Sequence, residues 1–375
     1  MTAYPTVLLL AGEASGDEHA AAVARELRAR IPGVRMLGLG GPRMSAEGVD
    51  LLAGLDRLAV MGFVEVVRHL GFFRRLLGRV RALLESGQVD LVIAVDYPGF
   101  NLRAARAAHE LGVPVLYYIA PQVWAWRPAR ARALAEHARH VASILPFERE
   151  PLEAAGARVS FVGHPLLERP DAVPARERFC AELGLNPTRP ILALLPGSRR
   201  QEIDRHLETF VRAAALVSRA RPPVQPVLAR ASSVPGARLA AAGLPVTGNA
   251  RALLRHARAA LVKSGTSTLE AALEATPFVV AYRTHPLTYL AARRLLLVPR
   301  VALANLVAGR EVVPELLQGA ATPAALSSRV IPLLDDTPER AGQLEGLAEV
   351  RRALGTPGAA GRVASLAEQI LEGGA

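Results

Sequence analysis

An acidic residue follows an apolar run in the first half of the chain, in the segment DLVIAVDYPGFN at residues 90–101. The run predicts a buried strand over Asp90–Val95, which places Asp96 at the carboxyl end of that strand. A carboxylate at this position projects into a binding cleft and can act as a general base, especially where burial raises its pKa. We therefore predict that Asp96 is a catalytic base; the alternative is that it caps the helix that follows.

A second acidic group lies in the segment LLLAGEASGDEHAAAVARELR at residues 8–28. The pattern predicts a strand, a glycine-containing loop and a helix from Glu18, as at the start of many nucleotide-binding folds. The spacing is not G-x-G-x-x-G, however, and two carboxylates would repel a pyrophosphate. Hydroxyl groups suit such a loop better, so we predict that a sugar meets the loop residues Gly12, Glu13, Ser15, Gly16 and Asp17.

A basic residue follows a strand and a Pro-Gly turn in LLPGSRRQEI at residues 194–203. Ser198 is a candidate N-cap, and Gln201 lies three residues on, which is the spacing of a capping box. Arg199 then falls in the first helical turn, where the helix dipole disfavours a cation. Its presence indicates a nearby anion; the alternative is a surface arginine on a well-capped helix.

The segment VKSGTSTLEAALE at residues 262–274 predicts a strand end, a polar turn and a helix start. The turn comprises Ser264, Gly265, Thr266 and Ser267, whose N–H groups and hydroxyls could hold a diphosphate. Glu270, one turn into the helix, could accept hydrogen bonds from ribose hydroxyls. Together with the turn of Arg199, this pattern predicts a nucleotide-diphosphate site in the second half of the chain.

Both tryptophans of the chain lie in YYIAPQVWAWRPARAR at residues 117–132. Trp124 and Trp126 precede Arg127, and aromatic rings beside arginines are suited to sugar stacking and phosphate binding. Nucleic acid would favour the same residue types, so this segment does not separate the two ligands.

Arginines and apolar residues alternate at helical spacing in VMGFVEVVRHLGFFRRLLGRVRALL at residues 60–84. Phe63 and Phe72 add apolar surface outside the main stripe, and Arg74, Arg75 and Arg79 lie among the basic residues of the other face. A basic amphipathic helix with extra aromatic residues is typical of a contact with a membrane surface. The alternative is a core helix with a solvated basic face.

Strands and helices alternate twice along the chain, which predicts two α/β domains with parallel sheets. The predicted strands of the first half are Thr6–Leu10, Arg35–Leu39, Asp90–Val95, Val115–Tyr118, Val141–Leu145 and Arg158–Val162, and those of the second half are Ile191–Leu195, Val224–Leu228, Ala259–Val262 and Phe278–Tyr282. The Pro-rich stretch at residues 164–177 is the candidate linker between them. We expect an N-terminal domain over residues 1–165 and a second domain over residues 175–345, with the active site in a cleft at the carboxyl ends of the strands. The segment 340–372 is predicted to be helical, and its end from about residue 345 is a candidate to pack back on the first domain.

Composition limits the class of protein. The 375 residues carry a net charge of +11, which favours an anionic partner such as a phosphorylated substrate, a membrane surface or nucleic acid. The single cysteine fits a reducing compartment, and no stretch has the length of a membrane span or the pattern of a signal peptide. No cluster has metal-ligand spacing, and no recognised nucleic-acid-binding motif is present, so we expect neither a metal nor a nucleic-acid partner.

The motifs, in their order, resemble the lipid-A-disaccharide synthase family. The matching segments are AGEASGD, GGPRM, VMGFVEV, DYPGFN, PQVWAWR, LPFE, FVGHPL, LPGSR, SGTSTLEA and NLVAGREVVPELLQ, which lie between residues 11 and 318. The resemblance implies a GT-B fold and an inverting transfer, without metal or cofactor, from UDP-2,3-diacylglucosamine to 2,3-diacylglucosamine 1-phosphate. It also implies a cytoplasmic enzyme at the surface of the inner membrane, with a homodimer as one candidate assembly.

The resemblance also assigns residues. The donor would be held in the second domain by Arg199, the turn 264–267, Glu270 and Asn305. The acceptor and its acyl chains would meet the first domain, at Ser15, Gly16, Met61, Phe63, Phe72, Arg75, Trp124, Trp126 and Arg127.

One position departs from the family pattern. Many members carry an aspartate where this chain has Gly99, so Asp96 becomes the first candidate for the base, followed by Glu13 and Asp17. Two other classes remain as alternatives: a UDP-sugar 2-epimerase on the same fold and a non-catalytic binder of nucleic acid.

Overall fold

The chain is described by a computed structural model over residues 4–55, 70–121, 128–168, 172–231, 233–285 and 300–373. Two compact units divide it. Unit 1 comprises Met1–Glu168 and Gly355–Ala375, and unit 2 comprises Arg169–Leu354. The division after Glu168 lies inside the Pro-rich stretch 164–177.

The strands of unit 1 form one parallel sheet, which has seven strands among the described residues. These strands are β1 (Thr6–Ala11), β2 (Arg35–Gly40), β3 (Asp50–Gly54), β4 (Leu91–Val95), β5 (Val115–Tyr118), β6 (His140–Ser143) and β7 (Val159–Phe161). The helices between them are α1 (Ala14–Arg30), α2 (Pro42–Ala46), α3 (Leu70–Glu85), α4 (Pro98–Glu110), α5 (Pro128–His137) and α6 (Arg149–Ala154). Both β1 and β4 are buried along their whole length, which is why they read as continuous apolar runs.

The strand order of unit 1 is β3-β2-β1-β4-β5-β6-β7, so the direction of winding reverses between β1 and β4. Ala11, the last residue of β1, pairs with Val95, the last residue of β4. In open α/β sheets, ligands bind at the carboxyl ends of the strands at such a reversal. The loops that begin at Gly12 and at Asp96 therefore start side by side at the place where a ligand is expected.

Unit 2 repeats this plan with a parallel sheet that has six strands among the described residues. Its strands are β8 (Ile191–Leu195), β9 (Gln225–Ala229), β10 (Val246–Thr247), β11 (Ala259–Lys263), β12 (Phe278–Tyr282) and β13 (Glu315–Leu317). Its helices are α7 (Arg176–Glu182), α8 (Arg200–Ala220), α9 (Gly236–Ala240), α10 (Ala250–His256), α11 (Thr266–Leu273), α12 (Leu303–Ala308), α13 (Pro323–Val330) and α14 (Pro338–Ala353). The order β10-β9-β8-β11-β12-β13 reverses between β8 and β11, where Leu195 pairs with Val262.

The segment predicted as helical over residues 340–372 is two helices. Helix α14 ends at Ala353, and α15 (Ala359–Leu371) follows after a break at which Gly355 and Gly358 have φ values of +91° and +102°. Glycine adopts this left-handed backbone without the steric cost that a side chain brings. The break separates unit 2 from unit 1, in which α15 packs against α1.

The first helix begins earlier than the sequence pattern indicates. Glu13 is the extended N-cap residue of α1, with φ −137° and ψ 162°, and the helix starts at Ala14 rather than at Glu18. The prediction of a loop through Asp17 was therefore wrong, and Ser15, Gly16 and Asp17 lie in the first helical turns.

Candidate active site

The backbone is strained where β4 ends in unit 1. Asp96 and Tyr97 have φ values of +48° and +47°, a left-handed conformation that costs free energy for residues other than glycine. The main-chain carbonyl of Asp96 accepts hydrogen bonds from the hydroxyl of Tyr117 and from the amide of Asn101, each at 2.8 Å. Strain that neighbouring groups enforce in this way is concentrated at functional sites.

The side chain of Asn101 links the two strands at the reversal. It is buried, and its Nδ2 also contacts the carbonyl oxygens of Leu10 and Val95, both at 3.1 Å. Its Oδ1 is buried without a hydrogen-bond partner among the described residues. An oxygen that is buried without a partner costs free energy. We infer that the role of this side chain is to donate hydrogen bonds from Nδ2 to the main chain.

The loops after β1 and β4 touch through Gly12 and Tyr97. A Cβ on Gly12 would lie 2.2 Å from the Tyr97 ring, so only glycine permits this contact. Burial raises the pKa of Tyr97, and the charge of Glu13 adds to the effect. The structure thus brings Glu13, half-buried, and Asp96 to neighbouring loops at one edge of the sheet.

Asp17, a candidate base by its type, has a different environment. Its side chain is 2% exposed and accepts hydrogen bonds from the main-chain N–H groups of Gly41, Arg43 and Met44, at 2.7–3.1 Å. These groups surround the start of α2, where a carboxylate is stabilised by the helix dipole. This geometry makes Asp17 a structural residue, since both of its oxygens already serve the backbone.

The acceptor residues predicted from the sequence have different positions in unit 1. Gly16 is buried against Ala11 of β1, where a Cβ on it would make an ordinary contact at 3.4 Å. Ser15 and Arg75 are exposed. Phe72 is half-buried and packs against the core of unit 1 beside Phe73, which weakens its assignment to a lipid contact. The other predicted members lie outside the described residues: Met61, Phe63, Trp124, Trp126 and Arg127.

The turn after β8 in unit 2 is capped differently from the prediction. Arg199, not Ser198, is the N-cap residue of α8, and Glu202, not Gln201, reaches back to the turn. Oε2 of Glu202 accepts hydrogen bonds from the N–H groups of Ser198 and Arg199, at 2.9 and 3.3 Å. The Arg199 side chain itself is exposed.

The residues of the turn after β11 differ in their exposure to solvent. Gly265, with φ +146°, is the N-cap residue of α11, and Thr266 is exposed at the helix start. Ser267 and Glu270 are half-buried. The hydroxyl of Ser264 is buried and donates to the carbonyl of Val301 at 2.6 Å, so the prediction that it offers its proton to a ligand does not fit.

Asn305 does not fit the predicted role as a contact for the donor. It is 0% exposed, and its Oδ1 accepts from the N–H groups of Val312 and Val313, at 2.7 and 2.9 Å. Its Nδ2 donates to Val313 and to Glu315. All of its hydrogen-bonding capacity is used inside unit 2, so Asn305 shapes the loop between α12 and β13.

Four residues at these edges were not assigned roles from the sequence: Tyr97, Asn101, Tyr117 and Glu202. Asn101 ends the DYPGFN motif and Glu202 lies three residues after Arg199, so the position of each in its motif could have identified it.

The helices of the described ranges do not combine the length and apolar character that a membrane crossing needs. Within these ranges, no three His, Cys, Asp or Glu side chains are grouped so that they could hold a metal ion.

Two parallel-sheet units with loops converging at each reversal define the GT-B fold, which glycosyltransferases and UDP-N-acetylglucosamine 2-epimerases share. A putative 2-epimerase from Listeria monocytogenes superposes with a TM-score of 0.67 at 13% identity, covering 100% of this chain and 98% of its own. The glycotransferase of kitacinnamycin superposes with a TM-score of 0.66 at 19% identity, covering 98% and 100%. At these identities the similarity establishes the fold.

Sequence comparison identifies the family. Residues 7–365 match the family described as lipid-A-disaccharide synthetase. A lipid-A-disaccharide synthase of Acidobacterium capsulatum is 41% identical over 99% of this chain and 98% of its own, and one of Syntrophus aciditrophicus is 40% identical over 98% of each. The chain belongs to the lipid-A-disaccharide synthase family. This confirms the resemblance seen in the motifs, and neither the epimerase nor the nucleic-acid binder is favoured.

Proposed function

We propose that this protein is an inverting hexosyltransferase that joins UDP-2,3-diacylglucosamine to 2,3-diacylglucosamine 1-phosphate. The product is the β-1,6-linked lipid A disaccharide 1-phosphate, and UDP is released. Membership of the family supports the reaction. The observation that carries the mechanism is the strained Asp96–Tyr97 dipeptide at the reversal of the unit 1 sheet.

In this proposal, Asp96 is the general base. An alcohol is a poor nucleophile at neutral pH, so the carboxylate accepts the proton of the acceptor 6-hydroxyl as its oxygen attacks the anomeric carbon of the donor. The new C–O bond forms on the face opposite the leaving group, the bond to the UDP oxygen breaks, and the configuration inverts. UDP departs as an anion with the electron pair of the broken bond.

The departure from the family pattern at Gly99 is compatible with this assignment. Gly99 is exposed on the first turn of α4, and a Cβ there would meet no atom within 4 Å among the described residues. Because this position contributes no carboxylate, Asp96 carries the role of base, with Glu13 on the neighbouring loop as the second candidate.

Unit 2 holds the donor in this proposal. The exposed Arg199 side chain contacts the diphosphate, and the N–H groups at the starts of α8 and α11 add partial positive charge beside it. The pairing of Leu195 with Val262 supports a common site, since it places the two turns on adjacent strands. Exposed Thr266 and half-buried Ser267 and Glu270 lie at the second turn.

We also propose that unit 1 associates with an anionic membrane surface through the basic face of α3. Arg74, Arg75 and Arg79 are exposed, whereas Leu76 and Val80 of the same helix are buried in the core. The apolar stripe of α3 is therefore used for packing over its described length. Charge, rather than inserted apolar side chains of this helix, provides the attraction.

The decisive experiment is incubation of the protein with both acylated sugars, followed by mass spectrometry of the products. We expect a disaccharide monophosphate and one UDP for each disaccharide formed. An epimerised sugar, or UDP released without the acceptor, would contradict the proposal.

The donor site is tested by binding of UDP. Arg199→Ala should weaken binding of UDP by about 1.5–3 kcal/mol. Arg212→Ala, which replaces an exposed residue further along α8, should bind UDP like the wild type.

A further inference from the structure

Glu202 determines the shape of the turn that carries Arg199. Its Oε2 accepts the N–H groups of both Ser198 and Arg199, at 2.9 and 3.3 Å. Gly197 has φ +129°, and a Cβ on it would lie 2.5 Å from Cβ of Glu202. The turn thus packs directly against Glu202, and these contacts set the direction of the main chain at Arg199.

Lys263 holds the other oxygen of the same carboxylate. Its Nζ donates to Oε1 of Glu202 at 2.7 Å, and both side chains are more than four-fifths buried. Lys263 is the last residue of β11 and the only lysine in the sequence. Its ammonium also lies 5.7 Å from the centre of the Tyr282 ring, on the neighbouring strand β12.

The ion pair therefore joins two turns on adjacent strands. One turn follows β8 and carries Arg199, and the other follows β11 and begins α11 at Gly265. Nζ of Lys263 lies 3.5 Å from the point where a Cβ on Gly265 would be. The compact ammonium of Lys263 thus contacts the Glu202 carboxylate, which holds the first turn, and also lies beside the second turn at Gly265.

Electrostatics explains why the Glu202 carboxylate is paired with the Lys263 ammonium. A carboxylate beside the start of two helices would repel a bound diphosphate unless a cation compensated it. Burial alone would raise the pKa of Glu202, but the hydrogen bond and charge of Lys263, with the N–H groups of Ser198 and Arg199, lower it overall. Glu202 therefore stays ionised and remains an acceptor for the turn, while Lys263 cancels its charge.

We propose that Glu202 and Lys263 are positioning residues for the diphosphate of the donor. Glu202 holds the turn of Arg199 in its binding geometry. Lys263 fixes the Glu202 carboxylate in place and compensates its negative charge. This inference rests on the proposed donor site in unit 2 and extends it to two residues that need not contact the nucleotide.

The test measures UDP affinity by calorimetry together with the KM for each substrate. We expect Glu202→Ala and Lys263→Met each to weaken UDP binding about tenfold, the effect of losing roughly one charge-assisted hydrogen bond. The KM for the donor should rise by a similar factor, and the KM for the acceptor should stay within about twofold of the wild type. Glu208→Ala, an exposed carboxylate on the same helix, is the matched control.

A double variant separates positioning from loss of fold. Lys263→Met leaves an uncompensated carboxylate, so adding Glu202→Gln should restore part of the UDP affinity, because glutamine still accepts the N–H groups of the turn without a charge. A double variant that binds UDP no better than Lys263→Met, or UDP affinity unchanged in both single variants, would overturn the inference. If Arg199→Ala also binds UDP like the wild type, the donor site itself is wrong; if Arg199→Ala alone is impaired, only the role of Glu202 and Lys263 fails.

Discussion

The side-chain amide of Asn101 donates a hydrogen bond to the main-chain carbonyl of Asp96 over 2.8 Å. The same amide reaches the carbonyls at the ends of β1 and β4, so the turn that carries the candidate base is tied to both strands of the reversal. The hydroxyl of Tyr117 donates to the same Asp96 carbonyl. Two donors therefore hold a backbone conformation that an aspartate would otherwise seldom adopt.

Asp96→Asn should lower kcat by about 10²–10⁴, because the amide keeps the size of the carboxylate but loses its basicity. The KM values for donor and acceptor should change little, as measured by steady-state kinetics with both acylated sugars. Asp50→Asn, an exposed carboxylate at the start of β3, serves as the control. Activity within a few fold of the wild type would place the base elsewhere, and Glu13→Gln would be the next variant.

Asn101→Ala should lower kcat more than it changes either KM, since it releases the Asp96 carbonyl without touching the proposed substrates. Stability should also fall, by about 1–3 kcal/mol, because the carbonyls of Leu10, Val95 and Asp96 each lose this donor. Tyr117→Phe removes the second donor to the same carbonyl and should act in the same direction. Urea unfolding and kinetics on the folded protein separate the two effects, and a loss of stability with unchanged kcat would show that the amide does not position Asp96.

Asp17→Ala tests a structural role against a catalytic one. Loss of the acceptor for three N–H groups around α2 should reduce the free energy of unfolding by about 1–3 kcal/mol. The kcat of the folded fraction, assayed below the unfolding transition, should remain within a few fold of the wild type. A drop of several hundredfold in kcat with normal stability would instead return Asp17 to the candidates for the base.

Replacement of Arg74, Arg75 and Arg79 with glutamine should weaken binding to vesicles of anionic lipid. The expected loss is about 1 kcal/mol for each basic residue near the surface. A matched control replaces Arg106, Arg149 and Arg178, three exposed arginines in helical ion pairs, and removes the same total charge. Equal losses in both variants would mean that net charge, and not the face of α3, determines the binding.

His206 should make stability depend on pH. Burial lowers its pKa in the folded protein; its Nδ1 lies 2.7 Å from the Glu202 carbonyl and its Nε2 accepts from the N–H of Arg283. Below about pH 6.5 the unfolded chain takes up a proton that the folded protein excludes. This contribution to stability is therefore complete above about pH 6.5 and is lost as the pH falls through the lowered folded pKa.

Urea midpoints at pH 7.5 and pH 5.5 would measure this effect. The difference between the two midpoints should be smaller in His206→Gln than in the wild type, because glutamine can donate and accept without titrating. His19, His137 and His140, whose pKa values burial also lowers, should retain the rest of the dependence. An unchanged difference would mean that His206 does not contribute.

The apolar runs of the central strands determined most of the fold. Val115–Tyr118, Ile191–Leu195 and Phe278–Tyr282 have the predicted bounds, since a strand covered on both faces must be apolar throughout. Three of the four edge strands of the described sheets, β3, β10 and β13, were not predicted. Each pairs with a single neighbour and is only partly buried, so its residues need not form an apolar run.

Side-chain chemistry and spacing also determined the family and pointed to Asp96, Arg199 and the turn 264–267. Only the tertiary structure decided which polar groups are available to a ligand. Asp17 and Asn305 have suitable chemistry, but main-chain groups from distant segments use their hydrogen-bonding capacity. A sequence records which groups a side chain carries, whereas the partners of those groups depend on chain segments that folding brings into contact.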